Sequence, residues 1–424
     1  MKISKRSCYT TLFAVLVLAQ LYLPSFKLNI LIQLVFLAGY LLAEKTTITR
    51  GVFRMAMLLL LLLGLGFIGT VVYSNNFFNV VKDLSHFIKP ISGFLIAYLL
   101  FRKVNDFKLF VRTIVWIGVL SAIIHLLTVL LFSDLGSVAG LREFSKDNFI
   151  ELFALLFLAY YKKFHSAELF PPGRMVKAFY ALLLVSILLY LSRTMLIAAV
   201  ILLLSVYGYT VINLKTLRRL ALLLCIVGVG YAYLFTLKLD RTKGFESFLY
   251  KIQIAPSEIF EARIDREDHT DLWDHWRAYE AKRAIYLMNQ NPGSYVYGMG
   301  HGSMVNLKFF AALTGSKHDR GLKYISELHN GYIYVLYKTG LIGIVVYMLF
   351  LLGLYLRIYA NRGMANVFIS GIGLIYLFTT LIITGIYNAR DIIIFVLGAL
   401  VAFSYSRPET ANTETASDLE VPAL

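Results

Sequence analysis

Long apolar runs are the feature of this chain that most restricts its fold. A helix needs roughly 20 apolar residues to cross a bilayer, and the sequence offers twelve candidate runs, centred near residues 17, 35, 64, 93, 120, 155, 183, 203, 228, 341, 374 and 397. Apolar side chains make up 58% of the 424 residues and charged side chains only 16%, against about 25% charged in ordinary soluble proteins. Because the runs are continuous and do not alternate, they predict helices and not the strands of a barrel. The expected fold is an all-α polytopic membrane protein with twelve transmembrane helices.

Basic residues divide the connecting loops into two classes. Clusters at residues 45–54, 102–112 and 215–219 alternate with loops that are poor in Lys and Arg. By the positive-inside rule these clusters mark the cytoplasmic side. The rule also accounts for much of the net charge of +16 without a nucleic-acid partner. With both termini inside, the same count places a long polar loop outside.

The chain consists of four predicted segments, of which this loop is the second. We expect transmembrane helices 1–9 in residues 1–238, a loop domain with amphipathic helices in residues 239–328, transmembrane helices 10–12 in residues 329–406, and a disordered cytoplasmic tail in residues 407–424. The tail is polar and acidic, which is typical of disorder. Within the loop, "DLWDHWRAYEAKRAIYLMNQNPG" predicts an amphipathic helix with Glu280 on its charged face. This helix either lies at the membrane interface or packs on its own loop domain.

A histidine stands where the loop re-enters the membrane. In "ELHNGYIYVLYKTGLIG", His329 and Asn330 precede an apolar run that contains Gly340 and Gly343. An imidazole has an unperturbed pKa of about 6.5 and therefore suits a general base. At this position it would contact both an aqueous and a lipid-borne reactant. A histidine that only caps the start of the helix is the alternative interpretation.

Arg193 lies in a tight turn, "YLSRTML", which the predicted topology puts outside. A planar guanidinium group suits phosphate binding, whereas an arginine that snorkels to the interface is the alternative. Ser192 and Thr194 add hydroxyl groups that can cap the following helix.

Further cations gather at the predicted outer face. Lys89 falls inside a predicted span, beside Pro90. A charge within the membrane marks a functional site by default. The alternative interpretation is that the span begins after Pro90. The other cations are Arg142, Lys146 and Arg390 in short loops, and Arg263, Arg266 and Arg277 in the long loop. These side chains either bind an anionic lipid carrier or pair with neighbouring acids on a solvated surface.

The sequence predicts no metal or cofactor site. His269, His275, His301 and His318 lack a metal-ligand spacing such as HExxH. Both cysteines lie in or beside apolar runs, so neither a disulfide framework nor a thiol-metal site is indicated. The stretch "GMGHGSM" lacks the strand and helix that flank a nucleotide-binding loop. We expect it to form a flexible turn with a mobile His301.

The arrangement resembles the O-antigen ligase and polymerase superfamily of bacterial envelopes. The pair His329-Asn330, followed by Gly340 and Gly343, is similar to the histidine motif of the ligases. Two further motifs are Ser192-Arg193-Thr194 and the stretch "WRAYEAKRAIYLMNQNPGSYVYGMG". The fourth feature is the layout of twelve spans with one large periplasmic loop between the ninth and tenth.

One position departs from the family pattern. The family commonly places an arginine about four residues before the tryptophan of the loop helix, and counting back from Trp276 gives Leu272. Arg277, Arg266 or Arg263 would have to take that role.

The resemblance implies a C-type glycosyltransferase at the periplasmic face of the bacterial inner membrane. The donor would be a glycan on undecaprenyl diphosphate. The acceptor would be a lipid A-core hydroxyl in a ligase, or another repeat unit in a polymerase. The reaction would be inverting and metal-independent, with His329 as general base. Arg193 and a loop arginine would bind the diphosphate, supported by Ser192 and Asn330.

Two other points stay open from the sequence. Aromatic side chains that could bind sugar faces include Tyr295, Tyr297 and Tyr332, with packing inside the protein as the alternative for each. A transporter of lipid-linked sugars is a different functional class, which would be expected to bury charges at mid-bilayer and to show paired broken helices.

Overall fold

Helices form nearly all of the secondary structure. The computed structural model describes residues 4–134, 141, 147–241, 244–261, 263–265, 267–311 and 321–405. The helices before the large loop are α1 (Lys5–Tyr22), α2 (Phe26–Ala43), α3 (Arg50–Val72), α4 (Phe77–Val104), α5 (Phe107–Phe132), α6 (Phe149–Phe164), α7 (Arg174–Leu189), α8 (Arg193–Val206) and α9 (Leu214–Thr236). The helices after it are α15 (Gly331–Tyr355), α16 (Arg357–Ala360), α17 (Met364–Ile383) and α18 (Ile393–Ser404), with a 3₁₀ turn at Gly385–Tyr387.

The segment between α9 and α15 is built from short elements. Its helices are α10 (Gly244–Gln253), α11 (Ser257–Phe260), α12 (His269–Asp274), α13 (Trp276–Asn289) and α14 (Ser294–Tyr297). Two strands, β1 (Val305–Ala311) and β2 (Leu322–Ile325), pair antiparallel with Val305 opposite Ile325. An entirely helical chain was expected, and this strand pair differs from that expectation. Its sequence signal is the alternation that buries Val305 and Leu307 and leaves Lys308 exposed.

Many of the helices are suited to a bilayer. Within the described residues, seven helices are long and apolar enough to span a membrane, namely α2, α3, α4, α5, α9, α15 together with α16, and α17. The apolar helices α8 and α18 are shorter, and α6 and α7 have 16 residues each. The protein is therefore a multi-pass membrane protein, and the number of twelve spans stays a prediction.

Small residues allow α4 and α18 to pack closely. A Cβ atom on Gly398 would lie 2.3 Å from the carbonyl oxygen of Phe94, and one on Gly93 would lie 3.0 Å from Ile394 Cγ2. Such close backbone approach is the usual basis of helix association in membranes. Helix α4 continues through Pro90, so the helix itself does not begin after that residue, and the start of the span stays a prediction.

Helix α15 is broken at Gly340, where φ is +70° and ψ is −170°. The break leaves carbonyl groups without partners in the helix, and the glycine-rich stretch after α14 supplies donors. Met299 N donates to Tyr337 O at 2.7 Å, and Gly300 N donates to Lys338 O at 3.2 Å. His301 is fully buried, and its Nε2 lies 2.9 Å from Leu63 O in α3. The expectation of a flexible turn with a mobile histidine is therefore wrong, because this stretch is held between α3 and α15.

Candidate active site

A cavity of about 1010 Å³ lies where the large loop meets the membrane helices. Helices α8, α9 and α17 contribute residues to its wall, and the loop helices α10 to α13 contribute most of the remainder. Three side chains singled out from the sequence line it together: Arg193, Arg277 and His329. These residues are up to 136 positions apart in the chain (329 − 193), so only the tertiary fold brings them to one cavity.

Arg193 is fixed at the first residue of α8. Ser192 is the N-cap of this helix, and its Oγ accepts from Met195 N at 3.2 Å and donates to Asp147 Oδ2 at 2.6 Å. The Arg193 guanidinium group donates to Glu258 Oε1 at 3.1 Å and also to Lys251 O. The start of α8 therefore presents both a guanidinium group and the positive end of a helix to the cavity.

Arg277 reaches the same carboxylate from α13. Its Nη1 lies 2.6 Å from Glu258 Oε2, and its Nε donates to Ile382 O at 3.1 Å, a carbonyl group at the end of α17. Burial lowers the pKa of Arg277 from its ordinary value, and the neighbouring Glu258 opposes that shift. Because Glu258 contacts both arginines and is itself 8% exposed, one carboxylate holds two guanidinium groups side by side.

His329 is held by a second buried carboxylate. Glu280 Oε2 accepts from the His329 backbone N at 3.0 Å and lies 2.9 Å from His329 Nδ1. Glu280 is 2% exposed, whereas the His329 side chain is 50% exposed. With Nδ1 turned to Glu280, Nε2 is the ring nitrogen left for a reactant. His329 O in turn accepts from Thr384 N at 3.0 Å, which fixes the backbone of the histidine against the end of α17.

Asn330 positions the histidine through the helix that follows it. Its Oδ1 accepts from Tyr332 N at 3.1 Å and from Ile333 N at 3.2 Å, so Asn330 is the N-cap of α15. His329 thus lies one residue before the N-cap of α15, at the start of a helix as the sequence predicts.

Comparison with known families identifies this part of the chain. Residues 178–348 match the family model described as O-antigen ligase. This matched segment, about two fifths of the chain, is similar to the O-antigen ligase family. A comparison with curated proteins gives no match. The matched segment contains Arg193, Glu258, Arg277, Glu280 and His329, whereas Asp147 and the α17 residues of the cavity wall lie outside it. This match supports an enzyme of the glycosyltransferase-like ligase and polymerase type.

Other cations named from the sequence lie elsewhere. Lys89 is buried within α4, and its Nζ donates to Asp391 O at 2.6 Å and to Asn388 O at 3.2 Å. These bonds tie α4 to the turn before α18 and do not involve the cavity. Arg390 is exposed on that same turn and is not part of the cavity wall. Arg142 and Arg266 lie outside the described residues.

Of the loop arginines predicted from the sequence, Arg277 reaches the cavity. Leu272, which takes the position where the superfamily commonly has an arginine, is 3% exposed and packs in the core. Arg263 is exposed and is not part of the cavity wall. Of the loop arginines considered from the sequence, Arg277 alone among those described lines the cavity.

Two carboxylates of the site were missed by sequence reasoning. The sequence predicts Glu280 only as one residue of the charged face of its helix, and the structure buries it against His329. Glu258 lies in a short helix with no distinguishing pattern. For Glu280 the sequence offers one signal of a role in the site. It lies three residues after Arg277, which places both side chains on one face of α13.

The apolar side of the loop helix packs within the protein. Trp276 and Tyr279 contact the ring of Phe309 in β1, with ring centroids 6.3 and 5.8 Å apart. This contact favours packing on the loop over a helix lying at the membrane interface. Among the described residues, no group of three or more His, Cys, Asp and Glu side chains is arranged to hold a metal ion, and metal independence stays a prediction.

Proposed function

We propose that this protein is an O-antigen ligase-type glycosyltransferase of the bacterial inner membrane. It moves a glycan from undecaprenyl diphosphate to a hydroxyl group of lipid A-core at the periplasmic face. The observation that supports this proposal most directly is the shared cavity of Arg193, Arg277 and His329. It combines two groups that bind a diphosphate with one group that accepts a proton.

The two arginines stabilise the leaving group. The diphosphate of the donor binds to the outward N–H groups of Arg193 and Arg277, at the N-terminus of α8. Negative charge on the diphosphate grows as the bond to the anomeric carbon breaks, and fixed guanidinium groups stabilise such charge without reorganisation. Glu258 keeps the two guanidinium groups together in the absence of the donor.

His329 activates the acceptor. Its Nε2 takes the proton of the acceptor hydroxyl, and the oxygen attacks the anomeric carbon from the face opposite the diphosphate. One C–O bond forms, the C–O bond to the diphosphate breaks, and the configuration inverts. The proton stays on the imidazole until it passes to solvent, and Glu280 stabilises the imidazolium that forms.

The test is glycan transfer by the purified protein in detergent. His329→Ala and Arg193→Ala are each expected to lower the transfer rate by roughly 10²-fold or more, the scale of losing a base or a charge stabiliser. Arg362→Ala is the matched control, because Arg362 is exposed in the loop between α16 and α17 and should leave the rate unchanged. Normal transfer by well-folded His329→Ala protein would refute the assignment of the base.

The same assay separates the two branches of the superfamily. Offered lipid A-core and a second lipid-linked repeat unit, a ligase transfers to lipid A-core without elongation, whereas a polymerase lengthens the glycan. Any transfer by the purified protein in detergent excludes a protein that only transports lipid-linked sugars.

A further inference from the structure

One wall of the cavity has no role in the transfer step. It is formed by Trp273, Asp274, Tyr250 and Arg241, which all line the cavity together with the catalytic groups. We call these four residues the Trp273 wall. They come from three parts of the large loop: the chain after α9, helix α10 and helix α12.

The indole of Trp273 is held in a fixed position. Its ring stacks on that of Trp276, with centroids 5.0 Å apart and an angle of 25° between the planes. Trp276 stacks in turn on Tyr279 at 6.0 Å. Trp273 Nε1 donates to His269 Nε2 at 2.7 Å. A ring fixed on one side by stacking and at its edge by a hydrogen bond loses little entropy when a ligand binds to it.

Polar groups stand immediately beside this ring. Asp274 Oδ1 accepts from Arg241 Nη2 at 3.0 Å, and Asp274 Oδ2 accepts from the Tyr250 hydroxyl at 3.1 Å. An ionised carboxylate offers about four acceptor positions, so both oxygens of Asp274 can accept further hydrogen bonds. The side chain of Arg241 is 37% exposed and that of Asp274 is 16% exposed, which leaves both in reach of a ligand in the cavity.

Trp276, on which the indole of Trp273 stacks, also lines the cavity and is 7% exposed. It supports the ring of Trp273 from behind.

This combination of groups discriminates between ligand classes. A lipid tail gains nothing from the Asp274–Arg241 pair and would bury it at a cost. A phosphate group meets one cation here, Arg241, which is already paired with Asp274. Arg193 and Arg277, by contrast, offer it two guanidinium groups elsewhere in the cavity. A pyranose ring has an apolar face of C–H groups that packs on an aromatic ring, and hydroxyl groups at its edge that bond to a carboxylate and a guanidinium group. Only the sugar uses both halves of the wall.

We propose that the Trp273 wall is a sugar-binding subsite that stacks one pyranose ring of a glycan on Trp273 and binds its hydroxyl groups with Asp274 and Arg241. This inference rests on the proposed function, because the glycan belongs either to the donor or to the acceptor. In this proposal Trp273 takes the place of the tyrosines considered from the sequence. Among the described residues, the cavity wall does not include Tyr295, Tyr297 or Tyr332. Tyr332 instead donates to Leu377 O at 2.7 Å.

A binding measurement tests the subsite without any need for activity. The probe is a fluorescently labelled, lipid-free oligosaccharide released from the host's own lipid-linked glycan, and its anisotropy is followed on addition of the full-length protein in detergent. Trp273→Ala is expected to raise the Kd at least about tenfold, and Trp273→Phe, which keeps a ring, is expected to raise it less. Tyr286→Ala is the control, since Tyr286 is a 48% exposed aromatic outside the cavity wall.

A second probe separates loss of the subsite from general damage. Sugar-free undecaprenyl diphosphate should bind Trp273→Ala as tightly as it binds the wild-type protein. An unchanged Kd for the oligosaccharide in Trp273→Ala, or an equal loss of affinity for both probes, would overturn the proposal. If the protein proves not to transfer glycans, the anisotropy result still stands, so failure of the subsite and failure of the proposed function are distinguishable.

Kinetics identify the source of the bound sugar. In Trp273→Ala a rise of about tenfold in the KM for the lipid-linked donor assigns the subsite to the donor glycan. The same rise in the KM for the acceptor assigns it to the acceptor glycan. No change in either KM would contradict a subsite used during the reaction.

Discussion

Two buried carboxylates determine what the cationic groups of the cavity can do. Glu258 joins Arg193 to Arg277, and Glu280 fixes His329 through both its backbone N and its Nδ1. A carboxylate that accepts from Nδ1 selects the tautomer in which Nε2 is the free base. At the scale of single residues, the site therefore consists of one carboxylate with two guanidinium groups and one carboxylate with an imidazole, and not of isolated cations.

Glu280→Gln is expected to lower kcat by about 10- to 100-fold with little change in the KM for the donor. The amide can still hydrogen-bond to the ring but no longer stabilises the imidazolium, so transition-state stabilisation is lost while ground-state binding remains. Steady-state kinetics on the purified variant give both constants. Glu246→Gln, in an exposed residue of α10, should match the wild type. A rise in KM with unchanged kcat would show that Glu280 does not act through His329.

At the scale of elements, local sequence signals place Arg193 and His329 at the starts of helices. Ser192 and Asn330 are both N-caps, and cap signals depend on a few neighbouring residues. Arg193 and His329 therefore lie at helix starts, as predicted. The partners Glu258 and Glu280 depend on how the large loop folds onto the membrane helices, and no local pattern encodes that contact.

The hydrophobic pattern decides which further elements could be predicted from the sequence and which could not. Continuous apolar runs located the membrane helices, whereas the pairing of β1 and β2 rests on two short segments. The burial of the glycine-rich stretch also depends on the break in α15, which the sequence shows only as two glycines in an apolar run. Tertiary contacts, not propensity, decide both features.

The break in α15 requires glycine at position 340. A Cβ atom there would lie 2.2 Å from Val296 O, and the φ of +70° is itself costly for other residues, by about 1–3 kcal/mol. Gly340→Ala is therefore expected to lower the Tm of the detergent-solubilised protein by several degrees and to loosen α14. Gly353→Ala is the matched control in the same helix, because nothing lies within 4 Å of its Cβ position. Equal Tm values for the two variants would contradict a structural role for the break.

At the scale of the whole molecule, one buried ion pair ties the loop to two membrane helices. Lys338 Nζ in α15 lies 2.6 Å from Asp83 Oδ2 in α4, and both side chains are fully buried. Asp83 Oδ2 also accepts from Gly302 N at 2.6 Å, and Lys338 Nζ donates to Ser303 O at 2.6 Å. The glycine-rich stretch is thereby fixed to the helix that begins just after His329.

Lys338→Met is expected to destabilise the protein by about 3–5 kcal/mol, because it leaves Asp83 as an unpaired buried charge. The double variant Asp83→Asn/Lys338→Met removes both charges and keeps an acceptor for Gly302 N, so it should recover most of the loss. Thermal unfolding in detergent compares the double variant with Lys338→Met and with Asp83→Asn alone. A double variant as unstable as the sum of its single changes would show that the two charges do not act as a pair.

The central claim is that a lipid-linked diphosphate binds between Arg193 and Arg277 with His329 facing the acceptor side. A structure of the His329→Gln variant with undecaprenyl-diphosphate-linked glycan tests it most directly, since loss of the base should trap the donor. We expect diphosphate oxygens within about 3 Å of both guanidinium groups, with Glu258 no longer bridging them. A diphosphate bound away from this cavity, at Lys89 or Arg390 for example, would contradict the account.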